Sequence, residues 1–104
     1  MALRLDVDPD LDASPDVVEN VLRVVREAIT NAARHGGASA VTLQGWRDDR
    51  LHVVVEDDGC GFDPAAVTRG FGLTSMRERA AALHGSLELQ SASGRGTRLE
   101  MSLP

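Results

Sequence analysis

Leu3, Leu5 and Val7 alternate with Arg4 and Asp6, a two-residue period that predicts a short strand at a sheet edge. Asp8, Pro9 and Asp10 end it. Ser14 followed by Pro15 predicts a helix start, a hydroxyl cap and then proline at the first helical position. Val18, Val21, Leu22, Val25, Ala28, Ile29 and Ala32 recur at three- and four-residue steps, which predicts an amphipathic helix over about 15–35. Asp16 and Glu19 fall in its first turns, where the helix dipole favours negative charge, and Gly36-Gly37 stops it. Ala40 to Trp46 and Leu51 to Asp57 read as two strands joined by Arg47-Asp48-Asp49-Arg50. In the second, Leu51, Val53 and Val55 share one face, and His52, Val54 and Glu56 the other.

Leu73, Met76, Ala80 and Leu83 mark a second helix closed by Gly85, with Met76 and Leu83 in the core. Leu87 and Leu89 mark a strand, residues 93–96 a turn, and Thr97, Leu99, Met101 and Leu103 a last alternating strand. The order predicts an α/β (α+β) two-layer sandwich, a mixed sheet with its helices on one face. It forms a single domain over 1–104, with its core over about 14–103.

Composition narrows the function. Eleven basic against sixteen acidic side chains leave −5, which argues against the basic footprint that non-specific nucleic-acid binding requires. Aromatics at 3% exclude stacking platforms for single strands. The single cysteine, Cys60, excludes an internal disulfide framework and a cysteine-built zinc site, and reads as a small spacer between glycines. No run approaches 18 apolar residues and the first ten residues lack signal-peptide order, so no membrane contact and a cytoplasmic setting are expected.

Asp57 carries the chemistry. It continues the face of Leu51, Val53 and Val55, where a carboxylate is costly unless donors reach it. Two readings stand: it caps the glycine turn that follows, or it accepts from a ligand donor such as an amino group on a flat base. Gly59 and Gly61 let the backbone turn sharply and let a ligand approach without a Cβ in the way. Gly70 and Gly72 feed a helix starting at about Leu73, an arrangement that suits phosphate. Glu27, Asn31 and His35 stand four apart on one helical face, with Arg34 beside them. An acid and an amide so placed suit a hard cation with retained waters, as Mg²⁺ usually binds; the alternative is a solvated stripe. Thr97, in phase with Leu99, should turn its hydroxyl inward beside Asp57. His52 and His84 read as surface residues, Trp46 as rim packing, Arg77, Glu78 and Arg79 as a solvated face, and Arg69 as lid or surface.

Taken together, REAITNAARHG resembles the N box, DDGCG the G1 box and GFGL the G2 box of the GHKL ATPase superfamily, and GRGT fits too, over roughly residues 14–103. GFGLTSMRERAAALHG is most similar to the catalytic ATP-binding domains of bacterial sensor histidine kinases that pair with NarL-type response regulators, the DesK- and DevS-like group. The resemblance implies the Bergerat fold, with ATP between helices and sheet. It implies that Asp57 accepts from the adenine amino group with Thr97 assisting, and that Gly59 and Gly61 shape that end of the pocket. It further implies that Asn31 ligates Mg²⁺, and that Glu27 orients a metal-bound water or assists proton transfer as the catalytic residue. Arg34 and His35 would lie near phosphate or ribose, and Gly70, Gly72 and Leu73 would form the hinge and helix start under the phosphates.

Implied partners are the dimerisation and histidine-phosphoacceptor domain of the same protein and a response regulator downstream. Only eight residues separate Gly61 from Gly70, so the family's long lid is nearly absent and modest ATP affinity is expected. About 13 residues precede the first helix, too few for the dimerising helices, so the chain reads as an excised domain. None of His35, His52 and His84 fits a phosphoacceptor. The alternatives are a stand-alone regulator, such as an anti-sigma-factor serine kinase of the same superfamily, and a protein-binding module that takes no nucleotide.

Overall fold

A computed structural model describes residues 1–63 and 72–104. The elements run β1 (Ala2–Val7), α1 (Pro15–Arg34), β2 (Ala40–Arg47), β3 (Leu51–Asp57), α2 (Leu73–Ala82), β4 (Ser86–Ser91) and β5 (Thr97–Leu103). One five-stranded sheet has the order β1-β2-β3-β5-β4. Only β1 and β2 pair in parallel, and α1 makes the crossover between them, since parallel neighbours need a long connection. The other pairs are antiparallel, so the expected mixed sheet forms.

The helix start was legible because its chemistry is local. Ser14 Oγ accepts from the Val17 N–H at 3.3 Å, Pro15 follows, and Asp16 sits in the first turn. At the other end the His35 N–H donates to the Asn31 carbonyl at 2.9 Å. Val24, Val25, Ala28 and Ala32 of α1 pack on Val41, Val53, Val55, Leu99 and Met101 of the sheet, with Met76 and Ala80 of α2 alongside. This core lies on the helix-covered face that the alternation of β3 and β5 anticipates.

The open face departs from expectation at one residue. His52 is not a surface histidine: its side chain is only 18% exposed. Its ring stacks on that of Trp46, its register partner on β2, at 5.0 Å between centroids, and Nε2 lies 2.9 Å from Asp48 Oδ1. A strand pattern read along the chain does not reveal which cross-strand neighbour will shelter a polar ring.

Candidate functional site

The C-terminal ends of α1 and β3 and the starts of α2 and β5 meet at one end of the sandwich. Asn31 and His35 of α1 face Asp57 of β3 across a narrow slot, with Thr97 on β5 and Leu73 at the start of α2. The slot has room for about one water, ≈ 20 Å³, so a flat base enters only if it widens. Beside it, a broader concavity of ≈ 490 Å³ is lined by Asp57, Thr97, Ser91 and Arg95. Asp57 therefore borders both spaces.

Asp57 is half-buried. Its Oδ1 accepts from the Gly59 N–H at 2.8 Å, so the turn-capping reading holds at one oxygen. Burial pushes its pKa above the ordinary carboxylate value, and the nearby Asp58 charge adds to the rise. The Gly59 and Thr97 amides oppose the rise without cancelling it. A carboxylate that the protein itself leaves incompletely stabilised is a ready acceptor for an added donor.

The hydroxyl of Thr97 turns inward as its phase requires, but its protein partner is Ser91, at 2.9 Å between hydroxyl oxygens. Sequence reasoning missed Ser91. Its Oγ also accepts from the Phe62 N–H at 2.9 Å and lies 2.9 Å from the Gly96 carbonyl oxygen. One serine at the end of β4 thus ties Phe62, a wall of the slot, to the turn before β5. Only the pairing of Ser91 with Thr97 in the β4–β5 ladder marks it, and that needs the register.

Asp58 was missed as well. Its Oδ1 accepts from the backbone N–H groups of Ser39 and Ala40, both at 2.9 Å, and its Oδ2 takes the Ser39 hydroxyl. The Ser39 hydroxyl and the Ala40 amide hold its carboxyl below the ordinary carboxylate value. A lowered folded pKa gives stability that is present above the unfolded value and lost as pH falls through the folded one. Asp58→Asn is therefore expected to lower the melting temperature at neutral pH and to flatten its decline below about pH 4. Melting curves across the acid range check this, and parallel acid limbs for variant and parent would remove the clamp.

The glycines also make room for the chain itself. A Cβ on Gly59 would lie 2.7 Å from the Gly36 carbonyl oxygen and 3.0 Å from Asp57 Oδ1. A Cβ on Gly61 would strike the Ala92 carbonyl. These positions let other stretches of the chain come close, and Gly61 also lines the slot. The Cys60 N–H donates to the Gly36 carbonyl at 2.8 Å, fastening the same turn to the end of α1.

Gly72, left-handed at φ 65°, precedes α2 with Glu27 packed against it, since a Cβ there would lie 2.7 Å from Glu27 Oε1. Glu27 lines a separate groove with Gly72, Ser75 and Arg79, one turn along α1 from Asn31. Arg79 is half-buried there and donates to Asn20 Oδ1 at 3.3 Å, rather than lying on a solvated face. Arg34 is exposed in the last turn of α1 and does not line the slot. Gly70 and Arg69 lie outside the described residues. The structure thus brings together Asn31, His35, Asp57, Gly61, Leu73 and Thr97, with Glu27 and Gly72 adjoining.

Residues 16–104 match the family described as histidine kinase-, DNA gyrase B- and HSP90-like ATPases. A signal transduction histidine-protein kinase/phosphatase, UhpB of Salmonella typhimurium, is 51% identical over 85 residues, covering 81% of this chain and 17% of its own length. The sensor histidine kinase LiaS of Bacillus subtilis is 36% identical over 105 residues, covering 96% of this chain and 29% of its own. The chain thus spans less than a third of either relative. Among solved structures, the histidine kinase domain of the Erythrobacter litoralis blue-light activated histidine kinase superposes with a TM-score of 0.84 over 99% of this chain and 51% of that one. At 23% identity that likeness concerns the fold. The ATP-binding domain of PrrB from Mycobacterium tuberculosis gives 0.75 at 25% identity, over 98% of this chain and 79% of that one.

Proposed function

Because this chain belongs to the family of histidine kinase-, DNA gyrase B- and HSP90-like ATPases, we propose that it is the ATP-binding catalytic domain of a two-component sensor histidine kinase. It binds Mg²⁺-ATP and delivers the γ-phosphate to a histidine on a separate helical domain of the same protein, for onward signalling to a response regulator of the NarL type. The setting is cytoplasmic. No helix among the described residues is long and apolar enough to cross a membrane. The sensor histidine kinase relatives favour this reading over a stand-alone regulator.

The observation that carries the reading is the convergence of Asp57, Thr97, Asn31 and His35 on one slot between helices and sheet. In it Asp57 accepts from the adenine amino group. Gly59 and Gly61 hold the Asp57 turn against Gly36 and Ala92. His35, on the slot, and Arg34, at the end of α1, lie toward phosphate or ribose. Gly72 and Leu73 make the helix start under the phosphates.

The donor set suits magnesium: an amide oxygen on Asn31 and a carboxylate on Glu27 are hard oxygen ligands one helical turn apart. Asn31 would hold the ion directly and Glu27 through water, and bound Mg²⁺ would offset charge on the phosphates. Glu27, held against Gly72, would orient a water or take a proton as the acceptor attacks. The chain's own residues do the positioning, which is most of what phosphoryl transfer asks of a protein.

Thermal melting with ATP and Mg²⁺ tests the reading. At a ligand concentration about 100 times Kd, binding adds about 2.7 kcal/mol, a rise on the order of 10 °C for a domain this size. Chelating the metal should shrink the shift. A melting temperature unmoved by millimolar Mg²⁺-ATP would favour a module that takes no nucleotide.

A further inference from the structure

A serine hydroxyl has one proton to give and two lone pairs to receive with, so three neighbours at hydrogen-bond distance use it up. Ser91 Oγ has three. The Phe62 N–H, at 2.9 Å, can only donate. The Gly96 carbonyl, also at 2.9 Å, can only accept. Thr97 Oγ1, again at 2.9 Å, can do either. The carbonyl decides between the two. Ser91 must give its single proton to Gly96, because otherwise two oxygens would face each other there with lone pairs alone. Thr97 is then the donor within the hydroxyl pair. Donation runs from Thr97 to Ser91 to Gly96, and the Phe62 amide fills the lone pair that Ser91 has left.

This order fixes what Thr97 shows to the slot. Thr97 lines both the slot and the broader concavity beside it, whereas Ser91 lines only the concavity. With its proton committed to Ser91, the Thr97 hydroxyl can only accept from a ligand. Asp57 is its register partner on β3 and, when ionised, also only accepts. The Gly59 N–H takes Asp57 Oδ1, and Oδ2 is the oxygen left to offer. Two neighbouring acceptors suit a group that carries two N–H bonds, which is an exocyclic amine. They oppose a carbonyl, whose lone pairs would meet theirs.

We propose that Ser91 is a positioning residue for base selection: by taking the Thr97 proton it keeps that hydroxyl from donating into the slot, so the site takes a purine bearing an amino group and rejects one bearing a carbonyl in its place. The inference rests on the nucleotide reading above and deepens it. Ser91 acts on the base through Thr97. Its tie to Phe62 steadies a wall of the slot and serves any base alike, so the difference between two bases isolates the direction of the proton.

The test titrates ATP and inosine triphosphate, which has a carbonyl where ATP has its amino group, into the 104-residue chain and its variants with Mg²⁺ present. The parent chain should prefer ATP. In Ser91→Ala the Thr97 hydroxyl is released to turn its proton toward the base, and the preference for ATP should fall about tenfold. Ser91→Thr keeps a hydroxyl at that place on the strand and should restore the preference. Thr97→Val should lower the preference too, and adding Ser91→Ala to it should lower it no further. Amide spectra verify the fold of each variant. If Ser91→Ala does not fold, Thr97→Val reads the same pair from its other end, and an unchanged preference there overturns the proposal. Equal weakening of both nucleotides in Ser91→Ala would make Ser91 a structural tie alone and would also overturn it. So would a further fall when Ser91→Ala is added to Thr97→Val. A parent chain that binds neither nucleotide would overturn the nucleotide reading and this inference with it, whereas a parent that binds ATP beside a Ser91→Ala variant of equal preference would overturn this inference alone.

Discussion

Asp57→Asn is expected to remove nucleotide binding, by about 3 kcal/mol or roughly 100-fold, while leaving the nucleotide-free domain as stable as before or slightly more so. The two effects have separate causes. Burial raises the Asp57 pKa in the folded chain. A raised folded pKa gives stability that is complete below the unfolded value and lost as pH rises through the folded one, so at neutral pH the charged carboxylate is a small liability. Asparagine has no charge to desolvate, and its oxygen can still accept from the Gly59 N–H that Asp57 Oδ1 now takes at 2.8 Å. The second oxygen, however, becomes an NH₂ group. With the amide one way round, that donor faces the incoming amine; the other way round, it faces the Gly59 N–H. Either orientation sets donor against donor. Calorimetric titration of ATP reads the binding loss, and melting curves recorded from acid to neutral pH read the stability. Binding within threefold of the parent protein would place the base-recognising acceptor elsewhere.

That Asp57 was the residue to change was legible from the chain alone, because phase along a strand is a local property. Leu51, Val53 and Val55 fix the covered face, and Asp57 falls on it two residues later. The start of α1 was legible for the same reason, since a cap and a proline act within one turn. The residues that escaped are those whose role depends on a partner on another strand or loop. Asp58 reaches back to Ser39, Ser91 reaches Phe62, and His52 shelters under Trp46. The exposure of Val18 and Leu22 escaped for a subtler reason. Val18 and Leu22 follow the same three- and four-residue steps as Val25 and Ala28, so periodicity alone counts them as core. Only the fold shows that no element covers them.

The second large effect is expected at Gly61, and it separates a conformational from a steric demand. Gly61 and Gly94 both have positive φ, 65° and 79°. Alanine at either position accepts a left-handed backbone, which costs about 1 kcal/mol. At Gly94 nothing lies within 4 Å of the added Cβ, so little else should follow, and Gly94→Ala should lower the melting temperature by on the order of 5 °C. At Gly61 the Cβ would strike the Ala92 carbonyl and lie 2.7 Å from that of Gly96. Both obstacles are backbone, so no rotamer change relieves them, and the β4–β5 turn must shift. Overpacking of this kind adds about 1–3 kcal/mol, for a total near 3 kcal/mol and a drop on the order of 15 °C. The shift cannot stay local. A Cβ on Gly96 would itself strike the Asp57 carbonyl, so the turn that Gly61 displaces rests on the strand end carrying the acceptor. Gly61→Ala should therefore weaken ATP binding even below its melting temperature, whereas Gly94→Ala should leave binding unchanged. Equal losses of stability in the two variants would mean that the turn yields freely, and the close packing of Gly61 on Ala92 would then not be what holds Asp57 in position.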